Sequence, residues 1–250
     1  MFQKRKIGVS AAPFFPWCLG REGIERTVGL AKRAGFDGLQ ILPLRGWMDF
    51  AGLDPKFVMS YTPEWNSGTW RGAFRRTLGL AGEECPLILD MVLFGSDQAV
   101  INSMGAIRSA FPEAIYVAKV PGTNPLEIHP EAGLTVDEYA QYPYPLIWDT
   151  WHSRRPMRYG QGGEITKNWQ ILLERVAAKI CQIHVHPTIR EIVSLVRGDP
   201  QTELIKMLRA LGEKTVCPVV IEVAPLVFGI PSVQVALLRR IRKVTEGYLH

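Results

Sequence analysis

The sequence predicts an α/β protein, a single (β/α)8 TIM barrel over residues 1–250. Eight short apolar runs recur along the chain, helical patterns separate them, and ionisable residues follow the ends of the runs. A chain of 250 residues is a usual length for one such barrel. An open doubly wound sheet shows the same alternation. The number of strands and the placement of the polar residues favour the barrel.

The predicted strands are nearly continuous apolar stretches rather than alternations of apolar and polar residues. Such runs are typical of a parallel sheet that is buried on both faces. They cover residues 7–11, 38–42, 57–61, 87–93, 115–120, 146–148, 180–185 and 219–223.

Apolar residues at helical spacing predict helices between these strands. The helical patterns cover residues 24–31, 100–111, 169–176, 204–211 and 233–244. Thr135 and Glu138 have the spacing of a capping box and predict a short helix before the sixth strand. Residues 45–56 show little helical period, so the helix after the second strand is predicted to be short or absent.

The composition is that of a soluble globular protein, with 47% hydrophobic and 21% charged residues. The net charge of +5 comes from small groups of Lys and Arg, which are typical of a solvated surface. Nucleic acid is therefore not the expected partner. The sequence leaves the oligomeric state open, and a homo-oligomer is compatible with it.

The cysteines and the apolar runs predict the compartment. Cys18, Cys85, Cys181 and Cys217 lie far apart and form no C-x-x-C pair, which argues against a zinc ribbon or a redox motif. The sequence has no apolar leader after its first charged residues and no run long enough to span a bilayer. We therefore expect a reduced, cytoplasmic protein without a membrane partner.

Polar side chains lie at or just beyond the ends of six of the predicted strands. Because buried ionisable groups are costly without partners, we expect these side chains to face one another across the mouth of the barrel. They are Gln40, Glu64, Lys119, Asp149, His184, His186 and Glu222.

Three of these strand ends carry the chemistry. Asp149 precedes His152 in Trp-Asp-Thr-Trp-His, which can place a carboxylate and an imidazole over one cavity, although Asp149 can instead cap the following loop. His184 and His186 alternate and therefore point to the same side of the sheet, as metal ligands or acid–base groups often do. His186 can equally be a buried polar residue with satisfied hydrogen bonds. Glu222 ends an apolar strand, either as a site carboxylate or as a salt-bridged residue of the rim.

The loops after the strands suit a small polar ligand. Arg154 and Arg155 can bind a phosphate or carboxylate group, or else project into solvent. Aromatic side chains in these loops can stack on sugar faces or serve in loop packing. They are Phe14, Phe15, Trp17, Trp47, Trp65, Trp70 and Trp151.

Four segments resemble a known superfamily in their order and spacing. They are AKRAGFDGLQIL at 31–42, LIWDTWH at 146–152, Ile183-His184 followed by Arg190, and Gly198-Asp199 followed by a helix and VVIE at 219–222. In these segments the chain resembles the xylose isomerase-like TIM-barrel superfamily. That superfamily includes ketose 3-epimerases, other sugar isomerases and the type 2 AP endonucleases.

The resemblance implies a divalent metal, Mn, Mg, Co or Zn, held by Asp149, His184 and Glu222 and by a carboxylate from strand five. It implies that His152 and Arg190 contact substrate oxygens. In epimerases of this kind two glutamates move a proton through an enediol-like intermediate while the metal polarises the neighbouring oxygens.

The sequence departs from this pattern at two positions. Lys119 stands where the superfamily has a metal-binding Glu, and Gln40 stands where many members have Glu. An ammonium at the site would oppose a divalent ion. Lys119 therefore either replaces the metal by pairing with the carboxylates, or points elsewhere while Glu127 or Glu131 completes the site. The metal is thus expected but in question.

Three functions follow as hypotheses. The first is a sugar or sugar-phosphate isomerase or epimerase acting on a small hydroxy-carbonyl substrate that is phosphorylated or acidic in some cases. Its catalytic residues would be Glu222, Lys119 and His152, and its substrate would contact Arg190, His186, Trp17, Glu64 and Arg154. The second is a barrel that has lost catalysis and binds a small polar ligand or a partner protein. The third is an AP endonuclease, which a chain with only five His supports least.

Overall fold

The structure is a computed structural model. It describes residues 5–14, 22–41, 57–61, 88–91, 115–118, 128, 135–141, 145–159, 164–166, 168–197, 199, 201–223 and 230–249. None of the helices in these ranges has the length and apolar character needed to cross a membrane.

Eight strands of the described chain form one parallel sheet. In chain order they are β1 (Ile7–Ser10), β2 (Gly38–Ile41), β3 (Val58–Tyr61), β4 (Ile88–Met91), β5 (Ile115–Ala118), β6 (Leu146–Asp149), β9 (Ile180–Val185) and β10 (Val219–Ile221). Two further strands, β7 (Met157–Tyr159) and β8 (Glu164–Thr166), pair antiparallel in a separate hairpin.

The strand order is β5-β4-β3-β2-β1-β10-β9-β6. Apart from the hairpin, strands that follow one another in the chain lie side by side, except β5 and β6, and β1 lies beside β10. No pairing between β5 and β6 occurs in the described residues. The protein is therefore an α/β protein with a parallel sheet, and the closed eight-stranded barrel that the sequence predicts is not shown.

The six helices of the described chain are α1 (Gly23–Ala34), α2 (Val136–Gln141), α3 (Trp169–Val176), α4 (Ile189–Arg197), α5 (Glu203–Lys214) and α6 (Pro231–Tyr248). Side chains cap the N-termini of several of these helices. The predicted capping box at α2 is confirmed, because Thr135 N donates to Glu138 Oε2 at 2.7 Å and Glu138 N to Thr135 Oγ1 at 3.2 Å. Asn168 and Thr202 cap α3 and α5 by a single hydrogen bond each, which their side chains accept from the backbone N of Gln170 and of Ile205.

The strand predictions are confirmed, because each of the eight predicted runs coincides with one strand of the parallel sheet to within a few residues. Four of the predicted helical patterns correspond to α1, α3, α5 and α6. The fifth pattern, at 100–111, lies outside the described residues, and so does the connection at 45–56. The sequence analysis missed the hairpin and helix α4.

The two faces of the sheet have different partners. Trp148 of β6 is fully buried, and its Nε1 lies 3.3 Å from Met207 Sδ in α5, so this face of β6 packs against helices. Because side chains alternate along a strand, Asp149 points to the opposite, inner face. Gly8 and Gly38 are paired on β1 and β2, and they leave room on that inner face for Met59. The site described below lies on the same face.

Candidate functional site

The ends of three neighbouring strands bring the candidate site together. In the sheet register Asp149 of β6 lies opposite His184 of β9, and His184 lies opposite Val220 of β10. Glu222 follows β10 directly, and its backbone N donates to Val185 O at 2.9 Å. Because all three strands run parallel, their carboxyl ends meet at one edge of the sheet.

The carboxylate of Glu222 lies between two imidazoles. Its Oε1 is 3.2 Å from His184 Nδ1, and its Oε2 is 4.0 Å from His186 Nδ1. His186 Nδ1 also lies 3.7 Å from Asp149 Oδ2. These contacts place both histidine side chains on the same side of the sheet, as their alternation predicts. Glu222 therefore points into the site rather than outward to the helices.

The two oxygens of Asp149 have different surroundings. Oδ1 accepts hydrogen bonds from the backbone N of Trp151 at 2.6 Å and of His152 at 2.8 Å. Oδ2 faces His186. The carboxylate therefore caps the loop through one oxygen, as one alternative from the sequence expects, and lies beside His186 through the other. A cavity shared with the imidazole of His152 stays a prediction.

A group of three potential ligand atoms comes from Asp149, His186 and Glu222, and these atoms all lie within 4.8 Å of one another. The ligand set implied by the resemblance had His184 in place of His186. His184 is fully buried, with Nε2 3.2 Å from Gln182 Oε1 and Nδ1 directed to Glu222. His186 follows the end of β9, and its side chain is 39% exposed. The structure thus brings His186 to the carboxylates at the exposed edge of the sheet and His184 to the layer beneath them.

The group fits a divalent cation. A metal with ligands at about 2.0–2.3 Å separates those ligands by up to roughly 4.5 Å. The distances from His186 Nδ1, 3.7 Å to Asp149 Oδ2 and 4.0 Å to Glu222 Oε2, lie within this limit. One imidazole and two carboxylates suit Mn2+, Zn2+ or Mg2+, and three protein ligands leave coordination positions for water or substrate. Asp149 is 1% exposed and Glu222 15% exposed, so the group opens towards solvent on the side of His186.

The remaining predicted site residues of this edge have other surroundings. His152 begins the short 3-10 helix His152–Arg154 after β6 and is half-buried. Arg190 is exposed in the first turn of α4, a helix that begins at this edge. Arg154, expected to bind substrate, instead forms a two-contact ion pair with Glu191 and donates to the backbone O of Thr150. The guanidinium of Arg154 therefore binds groups of the protein itself, namely the Glu191 carboxylate and the Thr150 carbonyl.

Trp151 contributes an aromatic surface beside the group. Its ring centroid lies 6.2 Å from that of His186, with the two planes tilted by 41°. The guanidinium carbons of Arg154 and Arg155 lie 5.9 Å and 5.5 Å from the indole. Gln40 of β2, where the resemblance predicts Glu, is fully buried.

Other predicted site residues lie outside the described residues. Lys119, Trp17 and Glu64 are among them, as are the two substitute ligands, Glu127 and Glu131. Their proposed contacts with substrate or carboxylates stay predictions. The rim aromatics outside the described residues are Phe15, Trp47, Trp65 and Trp70.

The structure adds three residues that the sequence analysis missed. Thr150 holds the backbone of His186, Gln182 contacts His184, and Glu191 pairs with Arg154. A signal for Glu191 is present in the sequence, because Thr188-Ile-Arg-Glu191 has the spacing of a capping box and begins α4. Gln182 extends the alternation of His184 and His186 by one step.

Comparison with known proteins corrects the predicted family. No family model matches the chain, and no curated protein matches it. A crystal structure of an uncharacterized protein from Parabacteroides distasonis is similar, with a TM-score of 0.55, 9% sequence identity and coverage of 97% of this chain and 98% of that one. At this identity the similarity concerns the fold alone.

The resemblance to the xylose isomerase-like superfamily is therefore not supported, and its prediction was wrong. The four segments that suggested it are short βα units, and such units recur in many parallel α/β proteins. No family model matches them, and the described sheet lacks the pairing that would close a barrel. The site has to be interpreted from its own geometry.

Proposed function

We propose that this protein is a metal-dependent isomerase or epimerase, which moves a proton within a small hydroxy-carbonyl compound such as a sugar or sugar phosphate. The observation that carries the proposal is the group formed by Asp149, His186 and Glu222, whose ligand atoms lie within 4.8 Å of one another. We further propose that the sheet closes between β5 and β6 as a (β/α)8 barrel, because the order of its strands is that of a barrel interrupted at this one step. The mouth of such a barrel is where enzymes of this architecture bind their substrates.

The exposure of the group supports a substrate site. Asp149 is the most deeply buried of the three, and His186 is the most exposed. A small molecule can therefore approach from the side of His186, beside the indole of Trp151. Neighbouring hydroxyl and carbonyl oxygens suit a divalent ion that has open coordination positions. When bound, the metal supplies Lewis-acid polarisation of a carbonyl, which acidifies the adjacent C–H bond.

Glu222 is the proposed base. Its carboxylate takes the proton from the carbon next to the carbonyl group and returns it to the neighbouring carbon, while a proton passes from one substrate oxygen to the other. Inversion at the same carbon would instead take the new proton from water on the opposite face, and Glu222 would release its proton to solvent. His184 Nδ1 lies 3.2 Å from Oε1 and holds this side chain in the site. Oε2 faces His186. His152, half-buried in the loop after β6, is the proposed hydrogen-bonding partner of a substrate oxygen.

Deuterium exchange tests the proposed reaction. The protein is loaded with Mn2+ and incubated in D2O with hydroxyacetone, dihydroxyacetone phosphate and a panel of ketoses, and an aliquot is freed of the metal before proton NMR. We expect loss of the signal of the hydrogen next to the carbonyl, dependent on the metal. Glu222→Gln should slow this exchange by about a hundredfold or more. The matched control is Glu213→Gln, because Glu213 is exposed in α5. This variant should exchange the substrate hydrogen at the same rate as the unmodified protein.

Calorimetry with the same compounds separates the enzyme from a binding protein. Binding of a panel compound without exchange of any hydrogen would overturn the proposed reaction and support a barrel that binds a small polar ligand. Absence of both Mn2+ binding and exchange would overturn the proposed metal site as well.

A further inference from the structure

We infer that Thr150 is a positioning residue for His186, and that the ion pair of Arg154 with Glu191 fixes Thr150 in turn. The inference rests on the proposed function, because it concerns how the ligand group of that site is assembled. Its starting point is that His186 lies beyond the last residue of β9, where the sheet no longer fixes the backbone.

The side chain of Thr150 replaces the missing sheet partner. The backbone N of Thr150 donates to His184 O at 2.9 Å, which is the last sheet-like contact between these chain segments. Two residues after His184, the backbone N of His186 donates to Thr150 Oγ1 at 2.8 Å. Thr150 is fully buried, so water does not compete for this hydroxyl. The hydroxyl of Thr150 thus holds the backbone of His186 beside the end of β6, directly beyond the last backbone hydrogen bond between the two segments.

Thr150 is held from its other side. Its backbone O accepts a hydrogen bond from Arg154 Nε at 2.5 Å. The Arg154 guanidinium forms two contacts with the Glu191 carboxylate, and the side chains of this pair are only 17% and 13% exposed. Glu191 also accepts from Thr188 N at 2.8 Å and from Thr188 Oγ1 at 2.9 Å at the start of α4. A two-contact Arg–carboxylate pair has a fixed geometry, so it ties the loop after β6 to α4.

These contacts position the imidazole of His186 relative to the two carboxylates. His186 Nδ1 lies 3.7 Å from Asp149 Oδ2 and 4.0 Å from Glu222 Oε2, and its side chain is 39% exposed. Burial alone therefore holds this imidazole weakly. The connection from α4 through Arg154 and Thr150 supplies the fixed backbone from which the imidazole reaches both carboxylates.

The test compares two substitutions at one position. Thr150→Val keeps the shape of the side chain and removes the acceptor, whereas Thr150→Ser keeps the acceptor. We expect Thr150→Val to weaken Mn2+ binding by about tenfold or more in calorimetric titration, and Thr150→Ser to stay within about twofold of the unmodified protein. The matched control is Thr27→Val, which removes a fully buried hydroxyl that donates to Gly23 O in α1. It should leave the Mn2+ affinity unchanged.

Hydrogen exchange of the His186 amide gives a readout that needs no metal. Its protection should fall by about tenfold or more in Thr150→Val and be retained in Thr150→Ser, because the exchanging N–H is the donor of this bond. Equal protection in both variants, or equal loss in both, would overturn the positioning role. If the unmodified protein binds no Mn2+ while the amide responds as expected, the proposed function fails and the positioning role stands.

A second variant keeps the inference testable if Thr150→Val does not fold. Arg154→Lys removes the fork that contacts Glu191 and the Nε that donates to Thr150 O. It should lower the protection of the His186 amide in the same direction. The control is Arg240→Lys, because the exposed Arg240 also donates to a backbone carbonyl, that of Val196. Unchanged protection in Arg154→Lys would contradict the role of the ion pair.

Discussion

Nδ1 of His184 lies 3.2 Å from Oε1 of Glu222 on the inner face of the sheet, where the imidazole is fully buried. The other ring nitrogen lies 3.2 Å from Gln182 Oε1. Both nitrogens of this histidine therefore have polar neighbours within the protein. His184 lies one layer below His186, and this difference in depth separates a residue that supports the site from one that is available to a ligand.

Replacing His184 should cost stability. We expect His184→Ala to lower the free energy of unfolding by about 2–4 kcal/mol, because it leaves a cavity and removes a partner from buried Gln182. Urea denaturation at neutral pH measures the change. A loss below about 1 kcal/mol would contradict the buried position of this side chain.

Replacing His186 should affect Mn2+ binding more than stability. The side chain is 39% exposed, so His186→Ala should change the free energy of unfolding by less than about 1 kcal/mol. It should weaken Mn2+ binding by about tenfold or more, since it removes one of three ligand atoms. Calorimetric titration and urea denaturation of both histidine variants give the comparison. Loss of Mn2+ binding in His184→Ala alone would restore His184 as the ligand.

The two oxygens of Asp149 have different partners, so substitutions at this position should separate the effect of its charge on Mn2+ binding from the effect of its hydrogen bonds on stability. Asp149→Asn keeps an oxygen that can accept from the backbone N of Trp151 and of His152, so the free energy of unfolding should change by less than about 1 kcal/mol. The loss of charge should weaken Mn2+ binding by about tenfold or more. Asp149→Ala should additionally lower the free energy of unfolding by about 1–3 kcal/mol. Equal Mn2+ binding by Asp149→Asn and the unmodified protein would place the ion elsewhere.

Local patterns were enough to predict most of the described fold. The strands of a parallel sheet are buried on both faces, and this produces apolar runs that the sequence displays directly. Helix α4 was missed although Thr188 and Glu191 have the spacing of a capping box, because apolar residues lie on its exposed side as well as on its buried side. Ile189 is exposed, for example, whereas Ile192 is buried. The hairpin of β7 and β8 is short and separate from the sheet, so no strong periodicity marks it.

The sequence predicted which strand ends carry the site residues, but not how deeply each side chain is buried. Alternation places His184 and His186 on one side, but only the register opposite Asp149 shows which of them lies inside the sheet. The partner of Arg154 is Glu191, 37 residues further along the chain, and a contact over that distance depends on the fold. His184 and His186 therefore differ in role because of the fold and not because of a local pattern.

The ion pair of Glu191 predicts a dependence of stability on pH. Burial acts to raise the pKa of Glu191, but hydrogen bonds from Arg154 and Thr188 and the charge of Arg154 outweigh it and hold the pKa below the ordinary 4.5. A carboxyl whose pKa is lower in the folded state stabilises that state above its unfolded pKa. This contribution is lost as the pH falls through the folded value.

Glu191→Gln should therefore be less stable than the unmodified protein at pH 7, and the difference should shrink as the pH falls below about 4.5. Urea denaturation between pH 7 and pH 3 measures both proteins. Glu174→Gln is the control, because Glu174 pairs with Lys214 in an exposed position with a side chain that is 64% accessible. A constant difference between Glu191→Gln and the unmodified protein at every pH would contradict the lowered pKa.

Met59 lies over Gly38 on the inner face of the sheet. A Cβ at Gly38 would lie 2.3 Å from Met59 Cγ and 2.7 Å from Met59 Sδ, so Gly38→Ala forces Met59 to move. We expect a loss of about 1–3 kcal/mol in the free energy of unfolding. Gly29→Ala is the matched control, because Gly29 is exposed in α1 with no atom within 4 Å of its added Cβ, and it should stabilise by about 0.5–1 kcal/mol. The double change of Gly38→Ala with Met59→Ala should cost less than the sum of the two single changes, since the clash is then absent. A double-mutant cycle in urea measures this coupling, and additive costs would mean that Met59 does not fill the space left by the glycine.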